Sequence, residues 1–185
     1  MAIHRYTPEQ RKSIQWASGT STEIFVFPAD GNFAERSFTF RISTATVEAE
    51  SSTFTFFEGI TRHLMILKGS LELIHEGRYT KKMQPYDQDV FSGEWNTRSN
   101  GKVTDFNLML KNGATGGLVH AAVMEGKVWT RNKIHAFEFV FVAEGEVRFR
   151  DNRSAKAGDL LQLDDSAVSL EAVVAAELVF IHVDL

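Results

Sequence analysis

The stretch FEFVFVAEGEVRFRDNRSAKAGDLLQL, Phe137–Leu163, decides the architecture of this chain. It reads as a strand of alternating aromatic and apolar residues, a Glu-Gly turn at Glu144-Gly145, a second strand, an Asp-Asn turn, a short segment, Ala-Gly-Asp, and a third strand. An earlier stretch, HLMILKGSLELIHEGRYTKKMQPYDQDVF, His63–Phe91, follows the same order, with a Lys-Gly turn in place of the first Glu-Gly. Setting Gly69 against Gly145 aligns the first turns and brings Asp87 onto Asp159, with the second connection shorter by four residues. Two copies of one β-unit are therefore implied.

Working outward, EIFVFP, SFTFRISTATV, VTDFNLML, SLEAV and LVFIHV add further strands separated by Gly, Asn or Asp turns. This is the pattern of an all-β sandwich or barrel, not of βαβ units. Helical periodicity is confined to a turn over Pro8 to Lys12 after a Thr7 cap. With 185 residues, 43% of them hydrophobic and 24% charged, the chain can bury one sizeable core or two small ones. The net charge of −4 and the lack of a basic block mixed with aromatics argue against nucleic acid as a partner. There is no cysteine, hence no thiolate chemistry and no disulfide framework. The start MAIHRYTPEQRK carries no apolar secretion segment, and no apolar run approaches the roughly 18 residues of a membrane span, so a cytoplasmic location without membrane contact is expected.

The repeated unit resembles the cupin family, whose pattern of strand, acidic-Gly turn, strand, Gly-Asp and strand is matched by VAEGEVRFRDNRSAKAGDLLQLD. The resemblance implies a bicupin of two jelly-roll halves packed as one unit, 1–113 and 114–185, sharing strands and an interface, with the boundary in the Gly-rich NGATGG of 112–117. Metal-bearing cupins hold their ion through an HxH pair, a Glu and a later His. Here Met65 stands where a partner for His63 is needed, and His75, His120, His135 and His182 are scattered. No metal and no other cofactor is therefore expected, a triad of His63, His75 and Glu72 being conceivable without support.

Four segments together resemble the HutD/Ves family of bicupins. They are WASGTSTEIFVFP (Trp16–Pro28), FRISTATV (Phe40–Val47, with Phe40 in place of the family's tryptophan), STFTFFEGITRHLMILKG (Ser52–Gly69, with Glu58 in place of a proline), and VTDFNLML (Val103–Leu110). The resemblance implies a link to histidine breakdown and a carboxylate-bearing intermediate, urocanate or formylglutamate, as ligand.

The polar residues inside these strands give the site. Strand alternation places Asp105 and Asn107 on one face of VTDFNLML, with Phe106 and Leu108 on the other, and Arg41 and Ser43 on one face of FTFRIST, with Phe40 and Ile42 opposite. A buried Arg or Asp is tolerable only when paired or facing a ligand. Two readings follow. In one, Arg41 and Asp105 form a structural ion pair that fixes register, with Asn107 satisfying a backbone group. In the other, Glu23, Arg41, Ser43, Arg62, Asp105 and Asn107 line the mouth of the first cupin. Arg62, after the Gly59 turn, would clamp a carboxylate through its two-pronged guanidinium. The expected function is non-enzymatic binding of a small-molecule carboxylate in a regulatory role, with self-association as a homodimer left open. The alternative is a cupin isomerase or degenerate metal-dependent oxygenase using Glu23 or His63 as base. The second cupin shows no obvious polar set and is expected to be filled by its own side chains.

Overall fold

In a computed structural model the described residues are 3–111, 113–164 and 167–185. They form β1 (Ile3–Tyr6), β2 (Lys12–Trp16), β3 (Gly19–Phe27), β4 (Phe40–Val47), β5 (Ser51–Thr53), β6 (Ile60–Gly69), β7 (Leu71–His75), β8 (Tyr79–Met83) and β9 (Gln88–Ser92). There follow β10 (Thr97–Asn100), β11 (Val103–Lys111), β12 (Thr115–Val123), β13 (Val128–Asn132), β14 (Phe137–Phe149), β15 (Ser154–Lys156), β16 (Leu160–Leu163) and β17 (Ala167–Asp184). The only helical turn among them is the 3-10 turn Pro8–Gln10, closed by Thr7, whose carbonyl accepts from the Gln10 amide. Among the described residues no helix is long and apolar enough to cross a membrane.

Contacts divide the chain into two units, Arg11–Ala114 and a second made of Thr115–Leu185 with the segment up to Gln10. The N-terminal segment thus departs from the expected 1–113 half. The reason is local: β1 pairs antiparallel with the exposed edge of β16, Ile3 opposite Leu163 and Tyr6 opposite Leu160, and Arg5 reaches the fully buried Asp159 at 2.9 Å. The units divide between Ala114 and Thr115. Of the expected boundary segment, Asn112 lies outside the described residues, and the stretch from Thr115 is already strand β12.

The Arg11–Ala114 unit is a jelly roll of two sheets, β2-β3-β4-β11-β6-β9 and β5-β10-β7-β8. Leu64 and Ile66 of the first sheet pack with Leu71, Leu73 and Met83 of the second, joined by Val47, Phe91 and Val103. Phe40, Ile42, Phe106 and Leu108 are fully buried on the other face of the larger sheet. The second unit is a single seven-stranded sheet, β1-β16-β14-β17-β12, with β13 on β17 and β15 on β14. Its interior is filled by Val140, Val142, Val147, Phe149, Leu170, Leu178 and Phe180 with their neighbours.

The two sequence copies fold alike down to their turns. Gly69 and Gly145 sit at φ 84° and 82°, the left-handed region that glycine enters without a Cβ penalty. Asp87 and Asp159 each accept the amide three residues back, from Gln84 and Lys156. The amide of Ile66 binds the carbonyl of Asp87, as that of Val142 binds Asp159. A Cβ on Gly145 would lie 2.2 Å from the carbonyl oxygen of Ala175, so strand β17 itself blocks it. Gly145→Ala is expected to cost about 3 kcal/mol in urea unfolding, the sum of left-handed strain and strand displacement. A cost below about 0.5 kcal/mol would show that the turn can relax away from β17.

FEFVFV and EVRFR are one continuous strand, β14, and SLEAV and LVFIHV are one strand, β17. Register shifts at Val142/Glu144 and Glu144/Glu146 let β14 bend without breaking its pairing with β17.

Candidate functional site

One face of the six-stranded sheet builds the site. Antiparallel register lines side chains up in rows across neighbouring strands. One row runs Glu23, Ser43, Asn107, Leu64 and Asp89, and the next Val26, Arg41, Met109, Arg62 and Phe91. A third sets Ser21, Ala45, Asp105 and Ile66 side by side. The alternation that buries Phe106 and Leu108 on one side therefore collects Arg41, Ser43, Arg62, Asp105 and Asn107 on the other.

These five residues line a cavity of about 190 Å³. Phe33, Phe54, Phe57 and Met109 form its apolar walls, Ser52 and Thr53 add hydroxyls, and Ile14 and Trp16 of β2 stand at the exposed side. Both guanidiniums lie against rings, Arg41 4.2 Å from the Phe33 centroid and Arg62 4.6 Å from that of Phe54.

The two arginines are held differently. Arg41 donates from Nε to Glu23 at 2.8 Å and from a terminal nitrogen to the Ser43 hydroxyl at 2.9 Å, so its charge is matched. Arg62, 7% exposed, donates to the Asn107 side-chain oxygen at 3.3 Å, and its buried Nε has no hydrogen-bond partner among the described residues. Burial, offset by the field of Asp105 and added to by Arg41, brings its pKa down to about 10. It is still charged at neutral pH. Asn107 in turn donates from its amide nitrogen to Asp105. Burial pushes the Asp105 carboxyl up to about 7, with Arg62, Asn107 and the Ala45 backbone pulling the other way.

The expected Arg41–Asp105 ion pair does not form. Register sets Asp105 opposite Ala45 and Arg41 opposite Met109, four residues further along β11. A register shift between Glu23 and Phe25 on β3 brings Glu23 beside Arg41 instead. Glu23 stands behind Arg41 and is not part of the cavity wall, unlike the other five residues named from sequence.

The aromatic walls were missed from sequence. Phe54 and Phe57 sit in the STFTFFEG segment, where an arginine-stacking role has no periodic signature, and Phe33 lies in the loop before β4. Ile14 and Trp16 belong to β2, whose five residues are all exposed and give no alternation to read.

The histidines take other positions. His75 ends β7, fully buried, with its ring nitrogens on Thr97 at 2.8 Å and Asp89 at 2.9 Å. Trp95, without a readable role in the sequence, packs its edge against that ring. His63 is buried but does not line the cavity. Among the described residues no three His, Asp or Glu side chains are grouped to hold a metal ion.

The second unit carries a polar set that the sequence did not reveal. Glu138 and His182 face each other across β14 and β17, next to Val140 and Phe180 of the apolar interior. Arg131 lies over Phe180 at 3.5 Å with its Nε 3.9 Å from Glu138. One oxygen of the fully buried Glu138 accepts the amides of Ile134 and His135, while the other, which faces Arg131, makes no hydrogen bond among the described residues, nor do Nε of Arg131 and Nδ1 of His182. The His182 ring stacks on His135, which binds Asp184 at 2.7 Å. Burial is the main cause that lowers the His182 pKa, with His135 and Arg131 adding to it.

The HutD family model matches residues 8–180 of the chain. No curated protein matches it. Among solved structures, the conserved protein of unknown function PA5104 from Pseudomonas aeruginosa PAO1 superposes with a TM-score of 0.84 at 20% identity over 100% of both chains. HutD from Pseudomonas fluorescens SBW25 superposes at 0.77 with 21% identity, over 99% of this chain and 98% of that one. YhhW from Escherichia coli gives 0.74 at 14% identity, over 98% and 97%. At these identities the likeness is one of fold, the two-part cupin architecture.

Proposed function

The chain belongs to the HutD family of cupin-like, histidine-utilisation-related proteins, and from that premise we propose that it is a cytoplasmic, non-enzymatic protein that binds a small carboxylate metabolite, urocanate or formylglutamate, in a regulatory role. The observation that carries this reading is Arg62: a buried, charged guanidinium facing a cavity with its Nε unpartnered. Leaving such a donor unmatched is costly, and a carboxylate supplies the matching pair of acceptors.

The neighbouring groups fit the rest of a small acid. Arg41 donates to Ser43, leaving the Ser43 hydroxyl proton for a ligand. Asn107 is fixed by Arg62 and Asp105 and retains one amide hydrogen. Glu23 balances Arg41. The cavity, about 190 Å³, lies below the roughly 300–1,000 Å³ of drug-sized sites, which favours a compact metabolite. An enzyme would call for Glu23 or His63 as base, and neither lines the cavity.

Thermal unfolding against urocanate, formylglutamate and their carboxamides tests the reading. A bound acid at 100 times its Kd is expected to stabilise the fold by about 2.7 kcal/mol, with little effect from the amides. Equal effects of acid and amide, or none from either, would sink it.

A further inference from the structure

Arg62 is one half of a polar pair whose other half is Asp105. Asp105 is 3% exposed and lines the same cavity. The groups around it can be followed element by element. On its own strand, Asn107 donates to one carboxyl oxygen. From β6 comes Arg62, too far for an ion pair and engaged with Asn107. From β4 come the Ala45 backbone, which hydrogen-bonds the carboxyl and favours its charged form, and Arg41, committed to Glu23 of β3. The wall residues from β2 and from 52–57 are hydroxyls, rings and aliphatic groups without charge. An ionised carboxylate buried without an ion-pair partner is unfavourable, so the neutral acid is the form this pocket suits. A neutral acid is a donor, and an O–H donor beside a guanidinium completes a cradle for an anion.

We propose that Asp105 is a second anion-recognition group of the cavity: in the complex it is protonated and donates its hydrogen bond to the carboxylate that Arg62 holds, so that binding takes up one proton wherever the free protein has released it. This rests on the carboxylate reading above and deepens it. The proton comes from solvent, no covalent bond changes, and the bound state holds one acid, one carboxylate and one guanidinium. An ionised Asp105 would instead place two carboxylates against one free cation. Its burial is what sets the range in which this matters, since a carboxyl raised to about 7 changes form near neutral pH.

The sign follows. Below the Asp105 midpoint the acid is already present and affinity is flat. Above it each unit of pH is expected to weaken binding by about tenfold, because a proton must be taken up for every carboxylate bound. The experiment is calorimetric titration of the whole protein with formylglutamate and with urocanate, from about pH 6 to about pH 9, in buffers of different ionisation enthalpy. The expected result is uptake close to one proton at about pH 8 and little at about pH 6. In Asp105→Asn the pH dependence should vanish. A second readout needs no ligand: an infrared band of a protonated carboxyl, present in the free protein at about pH 6, lost by about pH 9 and missing from Asp105→Asn. Binding without proton uptake, or no such band at about pH 6, overturns this inference alone. Failure of both acids to bind at any pH overturns the carboxylate reading and this inference with it.

Discussion

Replacing Arg62 by methionine is expected to weaken carboxylate binding by roughly thirtyfold or more and, at the same time, to raise resistance to urea. The two effects have one cause. Arg62 is 7% exposed, is bound by one side-chain hydrogen bond at 3.3 Å, and leaves Nε unpartnered. Methionine puts an apolar thioether chain where the guanidinium lies against Phe54 and Phe91, and removes the charge that burial disfavours. Among the described residues Arg62 has no ion-pair partner, so removing its charge relieves an uncompensated desolvation cost of about 1–3 kcal/mol. Losing one partner of a buried charged contact costs about 2–5 kcal/mol of affinity, roughly thirtyfold to several thousandfold in Kd. Urea midpoints and calorimetry on the same preparations check both. A variant that unfolds much earlier while binding unchanged would make Arg62 a structural residue and remove it from the site.

The second large effect is on stability, and it appears only at some pH values. Asp105 is raised from 3.8 to about 7 by burial. Below about pH 4 the folded and unfolded chains both hold its proton, so the residue is neutral to stability. Between there and about 7 the folded chain keeps the proton that the unfolded chain has released, and stability falls as pH rises. Above about 7 both forms are ionised and the whole penalty is felt, on the order of 4 kcal/mol for a gap of about three units. Asp105→Asn keeps an acceptor for Asn107 and cannot ionise. It is expected to gain up to about that amount in urea unfolding at about pH 8, with the gain fading toward zero as the pH drops to about 4. A gain of equal size at both ends would mean that charge is not its source.

What could be read from the sequence was whatever depends on neighbours along the chain. The Gly69/Gly145 and Asp87/Asp159 correspondences are turn chemistry, and turns are local, so aligning two stretches located both jelly-roll units. The faces of β4 and β11 follow from a period of two, which is why Arg41, Ser43, Asp105 and Asn107 came out on one wall. What could not be read depends on register. Whether Arg41 meets Asp105 or Glu23 is decided by a shift of pairing at Glu23/Phe25, which nothing in the residues there announces. The set of Arg131, Glu138 and His182 comes from three different strands and is visible only once β13 and β14 both lie on β17. β2 was missed because a fully exposed strand has no apolar face.

The pairing of β1 with β16 also has a meaning in time. Ile3–Tyr6 precede their partners Leu160–Leu163 by about 150 residues. At a synthesis rate of about 5–20 residues per second, the first strand waits on the order of ten to thirty seconds for the edge it completes. The intervening jelly roll can close during that interval, while β1 stays an unmatched strand open to any other sheet edge it meets.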